Sequence, residues 1–187
     1  MPEETLYLSQ PKLQFNDGQG WQDAPPELVK DLLQINVEES LHLPAMFTIV
    51  VHNSYIPASK AERTDRQPWR NEKYFKIGGQ IKLGFISSTT QDSNFKNKIE
   101  GSLIEGEITA LEVHFSEKLQ APIVVRGYDV SHRLHRGRYN RSFLNETDSD
   151  IIKKIAKEVG IKADKYIEQS GEPHEYVFQE NQTNMEF

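Results

Sequence analysis

The residues whose types best suit binding chemistry lie together in one basic segment, residues 126–141. Five arginines and one aspartate give this segment a charge of +4 in a chain of −6, so the remainder carries −10. Arginine side chains match phosphate oxygens, and Tyr128 and Tyr139 could stack on bases. Alternatively, the arginines pair with the surplus carboxylates, inside the subunit or across an interface. We favour pairing, because no second basic patch extends the segment.

The histidines of the basic segment raise the question of a metal site. His132 and His135 stand three residues apart and could meet on one helical face. A usual catalytic zinc site needs three protein ligands, however, and the other histidines are scattered in a chain without cysteine. We therefore expect no metal and no cofactor.

Two further groupings contain residue types used by hydrolases. Ser131 and His132 lie near Asp129, but triads are assembled from separate parts of a fold, and no Gly-x-Ser-x-Gly motif occurs. Glu105 and Glu107 would share one face of a strand and could in principle serve glycoside hydrolysis. Exposed strand faces commonly carry such pairs, so we expect no catalytic residues and no enzyme.

Alternation of apolar and polar residues predicts that most of the chain forms strands with one buried face. The alternating apolar sets are Leu33, Ile35 and Val37; Phe47, Ile49 and Val51; Ile81, Leu83 and Phe85; Leu111, Val113 and Phe115; and Ile123 and Val125. This pattern favours an antiparallel sheet or barrel over a parallel sheet. The pair Gly78-Gly79 predicts a tight hairpin between residues 75–77 and 80–82. Residues 54–73 and 87–98 are polar and predict exposed loops.

One amphipathic helix is predicted at about residues 148–159. Its apolar stripe consists of Ile152, Ile155, Ala156 and Val159. Thr147 is expected to cap its first turn together with Asp150, and Gly160 to end it in a left-handed conformation. One more strand is expected at 175–178.

Length and composition limit the class of protein. The 187 residues fit one domain or two small ones, and the absence of cysteine excludes disulfides, iron–sulfur clusters and thiol catalysis. The acidic first residues do not resemble a signal peptide, and no apolar run is long enough to cross a bilayer. A pI of about 5.6 argues against a surface that binds nucleic acid throughout.

The second half of the chain carries a more specific pattern. The basic segment reads RGYDVSHRLHRGR over residues 126–138, and it is followed by TDSDI, the amphipathic helix and Gly160. This order resembles the hub region of the VgrG and phage late control gene D family, which are tail hub–spike proteins of contractile injection systems. The resemblance is strong over 106–160 and extends more loosely across nearly the whole chain.

The resemblance implies a fold and a domain division. It implies a mainly β (α+β) protein with an antiparallel, tube-protein-like β-barrel. Residues 1–145 would form the first barrel of the hub. Residues 146–187 would supply a helix and a strand leading into a second barrel, and we expect the family pattern to continue past Phe187.

The resemblance also implies a structural role without catalysis. Such a hub is a homotrimer that joins a hexameric inner tube to the central spike at the baseplate, with baseplate proteins and a spike tip or effector cargo as further partners. It would assemble in the cytoplasm into a phage-tail-like particle or secretion apparatus and leave the cell on firing, with no direct membrane insertion by this region. The alternatives are a nucleic-acid-binding β-barrel that uses the basic segment and a hydrolase domain of a tail particle.

In this interpretation the basic segment holds together elements of one subunit or neighbouring subunits, and its arginines pair with the excess acidic residues elsewhere in the chain. The candidate interface residues are Arg126, Tyr128, Asp129, His132, Arg133, Arg136, Arg138 and Arg141.

Overall fold

The computed structural model describes residues 7–53, 69, 74–89, 98–114 and 122–187. The chain forms two compact units, Met1–Asp129 and Val130–Phe187, which are described separately. The division falls inside the basic segment and before the boundary expected after residue 145. The assignment of residues 1–145 to a first barrel and of 146–187 to the lead into a second remains a prediction.

Unit 1 is built on one antiparallel sheet. Its elements are β1 (Tyr7–Asn16), β2 (Trp21–Asp23), α1 (Pro26–Lys30), β3 (Leu32–Glu38), β4 (Met46–Val51), β5 (Gln80–Thr89), β6 (Ile99–Val113) and β7 (Ile123–Asp129). The seven strands pair in the order β2-β1-β5-β6-β7-β4-β3. The predicted antiparallel β architecture is therefore confirmed. Among the described residues β2 and β3 remain the two edges of an open sheet, so closure into a barrel is not confirmed.

The core of unit 1 lies against one face of this sheet and confirms much of the predicted alternation. Phe47, Ile49 and Val51 are fully buried, as are Ile81 and Leu83. Every strand of the sheet except β2 contributes to the same apolar cluster. Burying one such side chain stabilises the fold by about 1.5–3 kcal/mol, so this face is a major source of the stability of unit 1.

The predicted alternation is wrong at one residue of β3. Leu32 pairs with Val51 and Gln34 with Val50, so Leu33 is an extra residue in a β-bulge. As a result Leu32 packs against the core, whereas Leu33 is 62% exposed.

The glycine pair forms the predicted tight turn, but without a strand in front of it. Gly78 has φ +81°, and the N–H of Gly79 donates to the Lys76 carbonyl at 2.8 Å. Residues 75–77 form no strand; instead the turn bonds to β6, where Ile108 donates to the Gly79 carbonyl at 2.9 Å.

The two predicted polar loops lie largely outside the described residues. Trp69, however, is described and is buried rather than exposed. Its ring N–H donates to Asp31 Oδ2 at 2.6 Å, and its backbone N–H donates to the buried Asn53 side chain at 3.2 Å. In the second stretch, residues 87–89 belong to β5.

Unit 2 contains a two-stranded sheet and the predicted helix. Its elements are a 3-10 helix (Val130–His135), β8 (Tyr139–Phe143), α2 (Asp148–Glu158), a 3-10 turn (Asp164–Tyr166) and β9 (Val177–Gln182). β8 and β9 pair antiparallel. The strand expected at 175–178 therefore begins at Val177 and continues to Gln182. No helix in the described residues is long and apolar enough to span a membrane.

The ends of α2 form as predicted, whereas its buried face is rotated. Thr147 accepts from the Asp150 backbone N–H and Asp150 bonds back to Thr147, a complete capping box. Gly160 has φ +73°. The buried stripe includes Ile151, not Ile152, which is 51% exposed.

Candidate functional site

The basic segment crosses both units, so its residues are placed by different elements. Arg126, Tyr128 and Asp129 lie on β7 in unit 1. In unit 2, the 3-10 helix carries His132 and Arg133, the following turn carries Arg136 and Arg138, and β8 carries Arg141.

In unit 1, Asp129 fixes the start of β4. Its carboxylate accepts from the Ala45 backbone N–H at 3.2 Å, and its own N–H donates to the Ala45 carbonyl at 2.9 Å. Arg126 forms an ion pair with Glu112 on the neighbouring strand at 3.0 Å, with both side chains partly in water. Exposed pairs of this kind contribute about 0–1 kcal/mol, so Arg126 remains available to a partner.

Tyr128 borders a cavity of about 370 Å³ beside the loop that joins β3 to β4. This loop, residues 39–45, exposes two large apolar side chains. Leu41 is 94% exposed and Leu43 is 66% exposed.

In unit 2, Arg133 caps the carboxyl end of α2. Its guanidinium donates to the carbonyls of Val159 at 2.8 Å and of Gly160 at 3.2 Å. The last carbonyls of a helix have no partner within the helix and carry partial negative charge, so a cation there is stabilising.

Arg141 holds together three parts of unit 2. Its Nε donates to Gln179 Oε1 at 2.7 Å, one terminal nitrogen bonds to Glu158, and the other bonds to Asn184 Oδ1 at 2.8 Å. The guanidinium also lies over the rings of Tyr139 and Phe143. Arg141 therefore links β8 with β9, with the end of α2 and with the last turn of the chain.

Arg138 binds the same last turn from a more exposed position. It donates to the Asn181 carbonyl at 2.5 Å and pairs with Glu186 at 3.1 Å. The hydrogen bond from the Thr183 backbone N–H, together with the Arg138 charge, lowers the pKa of the Glu186 carboxyl.

The histidines of the segment do not assemble a metal site. His132 Nε2 lies 2.6 Å from Arg136, where it can only accept a hydrogen bond. In the described part of the chain no group of three or more His, Asp or Glu side chains could hold a metal ion.

The paired carboxylates of β6 have different environments. Glu105 is exposed and forms an ion pair with Lys82 at 3.0 Å. Glu107 is 7% exposed and lies on β6 opposite Gln80 and Tyr128. Because Glu105 is exposed and Glu107 is buried, their arrangement does not support a catalytic pair of carboxylates.

Sequence reasoning missed an apolar groove along α2 in unit 2, named the α2 groove below. Its volume is about 450 Å³. It is lined by Leu134, Asp148, Ile151, Ile152, Ile155, Ala156, Ile161, Ala163, Ile167, Val177, Asn184 and Phe187. The sequence feature that could have indicated this groove is the pair Ile161 and Ile167, because these residues continue the apolar face beyond the end of the helix.

Comparison with known structures identifies the fold. A 43 kDa tail protein of prophage MuSo2 from Shewanella oneidensis superposes with a TM-score of 0.56 and 15% identity, over 96% of this chain and 46% of that chain. The chain has the fold of a phage tail protein. No family model and no curated protein matches the sequence.

Two further structures are similar to this phage-tail fold. The E. coli c3393 protein, a component of the type VI secretion system, has a TM-score of 0.48 and 16% identity over 93% of this chain and 40% of that chain. A Francisella PdpA–VgrG complex has a TM-score of 0.44 and 13% identity over 82% of this chain and 20% of that chain. The resemblance to tail proteins is confirmed at the level of fold by the prophage MuSo2 structure. This chain spans less than half the length of each of the three structures.

Proposed function

We propose that this chain is the hub portion of a tail hub–spike protein in a contractile injection machine. In this role it is a structural subunit without catalytic activity. It forms a homotrimer that joins a hexameric inner tube to the central spike at the baseplate. The observation that carries the proposal is the likeness to a phage tail protein along 96% of the chain.

The contacts of the basic segment support a structural role over the alternatives. Arg133, Arg138 and Arg141 bind carbonyls, amides and carboxylates of their own unit. A surface that bound nucleic acid would need these guanidinium groups to face phosphates. Their internal partners favour the interpretation in which the arginines balance the acidic excess of the chain.

The exposed members of the segment are the candidates for contacts between subunits. Arg136 is exposed and bonds to a histidine, and Arg126 shares its charge with a half-exposed glutamate. Either can move to a carboxylate of a neighbour without leaving a buried group unpaired.

The further parts of the proposal follow from this role. The hub contacts baseplate proteins and a spike tip or effector cargo, it assembles in the cytoplasm, and it leaves the cell with the fired particle. In a hub, the seven-stranded sheet of unit 1 and its apolar core would supply the tube-like barrel.

The proposal is tested by binding to the inner tube protein encoded with this chain. We expect saturable binding that weakens by about tenfold or more in Arg136→Glu, because the variant repels an acidic neighbour. Lys30→Glu, a charge reversal of the same size at the end of α1, serves as the control and should bind as the parent chain does. Absence of any binding by the parent chain would contradict the hub role.

A further inference from the structure

The turn between β1 and β2 contains the one Asp-Gly sequence of the chain. Asp17 precedes Gly18, every other aspartate precedes a residue with a side chain, and no asparagine precedes glycine. In this dipeptide the glycine nitrogen can attack the carboxyl carbon of the aspartate, because glycine has no Cβ to hinder the approach. Residues 17–20 are all exposed, so water has access to the reacting atoms.

The structure holds the carboxyl group of Asp17 beside the Gly18 peptide. Its Oδ1 accepts from the Gln19 backbone N–H at 2.9 Å, an Asx-turn that folds the side chain over the intervening peptide. Its Oδ2 accepts from the Gln22 side-chain amide at 3.1 Å. Attack on Cγ places negative charge on these oxygens, and donors already aimed at them stabilise that charge.

The nitrogen of Gly18 is free of the sheet. Its N–H donates to the Asn16 side-chain oxygen at 2.9 Å, so loss of the proton breaks no hydrogen bond between strands. Gly18 has φ +96°, and a Cβ there would meet no atom within 4 Å. The peptide therefore has room to move as a ring closes.

We propose that Asp17 is a site of spontaneous isomerisation to isoaspartate, with the Gly18 nitrogen as nucleophile. The nitrogen bonds to Cγ, and its proton leaves with the hydroxyl of the protonated carboxyl as water, which gives a cyclic imide. Water then adds to the main-chain carbonyl carbon of Asp17 and breaks its bond to the nitrogen. The chain now continues through Cγ, and the water lost in the first step has been regained.

The surroundings of other aspartates oppose the same reaction. Asp23 lies in β2, and the N–H of the following Ala24 donates to the Leu13 carbonyl at 2.8 Å, so attack would break a bond of the sheet. Asp148 begins α2, and the N–H of the buried Ser149 donates to a serine hydroxyl at 2.8 Å. Each following residue also carries a Cβ. The modification should therefore be specific to the β1–β2 turn.

Isomerisation should release β2 from the sheet. An isoaspartate adds one atom to the main chain of the turn that joins Asn16 to Trp21, and turn length sets the register of a hairpin. β2 has only three residues, and all of them pair with β1. The carboxyl group also moves onto the main chain, where Gln22 loses its former acceptor. This change concerns unit 1 alone and does not depend on the proposed hub role.

The test is to incubate the full chain for several weeks at physiological temperature and pH and to map its tryptic peptides. The peptide of residues 13–30 contains both Asp17 and Asp23, and electron-transfer fragmentation distinguishes isoaspartate from aspartate at each position. We expect at least about tenfold more newly formed isoaspartate at residue 17 than at residue 23. Equal amounts at the two positions, or none at residue 17, would overturn the proposal.

A synthetic peptide of residues 13–30 tests the contribution of the fold. The folded chain should isomerise at Asp17 at least as fast as this peptide, because the turn already holds the reacting groups together. Slower reaction in the folded chain would mean that the turn protects the aspartate, and the proposal would be wrong.

Hydrogen exchange of fresh and aged protein measures the effect on β2. Amides of residues 14–16 and 21–23 should exchange faster after ageing, whereas those of β4 stay unchanged. Asp17→Ser is the matched control, since its hydroxyl can accept from the Gln19 N–H but no imide can form. Equal exchange in fresh and isomerised parent chain would show that β2 is not released. None of these outcomes bears on the hub role.

Discussion

The Nε of Arg141 donates to Oε1 of Gln179 at 2.7 Å, and Gln179 has no exposed surface. The Gln179 amide nitrogen in turn lies within hydrogen-bond distance of the carbonyls of Gln182 and Thr183 and of Asn184 Oδ1. A charged residue of the basic segment thus serves as a structural tie for the last turn of the chain. This network also explains why the guanidinium of Arg141 is not available to an outside ligand.

Replacement of Arg141 by Met should destabilise unit 2. The variant keeps an apolar stem over the neighbouring rings but leaves buried Gln179 without its donor, which costs about 1–3 kcal/mol in the free energy of unfolding. Urea unfolding followed by circular dichroism measures the change. Arg126→Met, at an exposed ion pair with Glu112, is the control and should change stability by about 1 kcal/mol at most.

The capping box of α2 should make stability depend on pH. The hydrogen bond from Thr147 lowers the pKa of the Asp150 carboxyl below its usual value of 3.8. Because the folded pKa is depressed, this contribution is fully present above the unfolded pKa and is lost as pH falls through the folded pKa. We therefore expect the parent chain to have a higher free energy of unfolding than Asp150→Asn at pH 7. This difference should become smaller as the pH is lowered to 3. If the difference in free energy of unfolding stayed the same across this pH range, the stabilising role of the ionised Asp150 carboxyl would be contradicted.

Gly160 should resist substitution because of its backbone conformation and its neighbour. Its φ is +73°, and a Cβ there would lie 2.9 Å from a terminal nitrogen of Arg133. Gly160→Ala should lower the unfolding free energy by about 1 kcal/mol or more. Gly171→Ala, where a Cβ meets no atom within 4 Å, is the matched control. Equal thermal stability of the two variants would argue against the Arg133 cap.

Gly127 in β7 should tolerate substitution even less than Gly160 does. A Cβ at this position would lie 2.0 Å from the Glu107 carbonyl oxygen and 2.4 Å from the Phe47 ring. Both are fixed in the core, so Gly127→Ala should destabilise unit 1 by about 1–3 kcal/mol or more. Denaturant unfolding measures the loss, and stability equal to that of the parent chain would mean that β6 and β7 are not so closely apposed.

The parts of the fold that sequence predicted are those in which local pattern and burial agree. β4 alternates without interruption because every second side chain is fully buried. In β3 the bulge at Leu33 changes which side chains face the core. The alternation of apolar and polar residues in the sequence does not by itself reveal such an inserted residue. The sequence did not predict β8, because Arg141 lies on its half-buried face. A charged residue at such a position does not indicate a buried strand face unless the partners of the charge are known.

The candidate site shows the same limit. The arginines of the basic segment were recognisable as a group, and their enrichment favoured pairing. Their partners Val159, Gln179 and Asn184 lie far along the chain, however, so no spacing rule connects them. The α2 groove was missed because its lining comes from α2, from the segment after it and from the last turn, which only folding brings together.

The most direct test of the hub proposal is the mass of the complex that this chain forms with its inner tube protein, measured by native mass spectrometry. The account predicts three copies of the chain bound to six copies of the tube protein, with the free chain sedimenting as a trimer. A monomeric chain that binds no tube protein, or a complex with one copy of each, would contradict it.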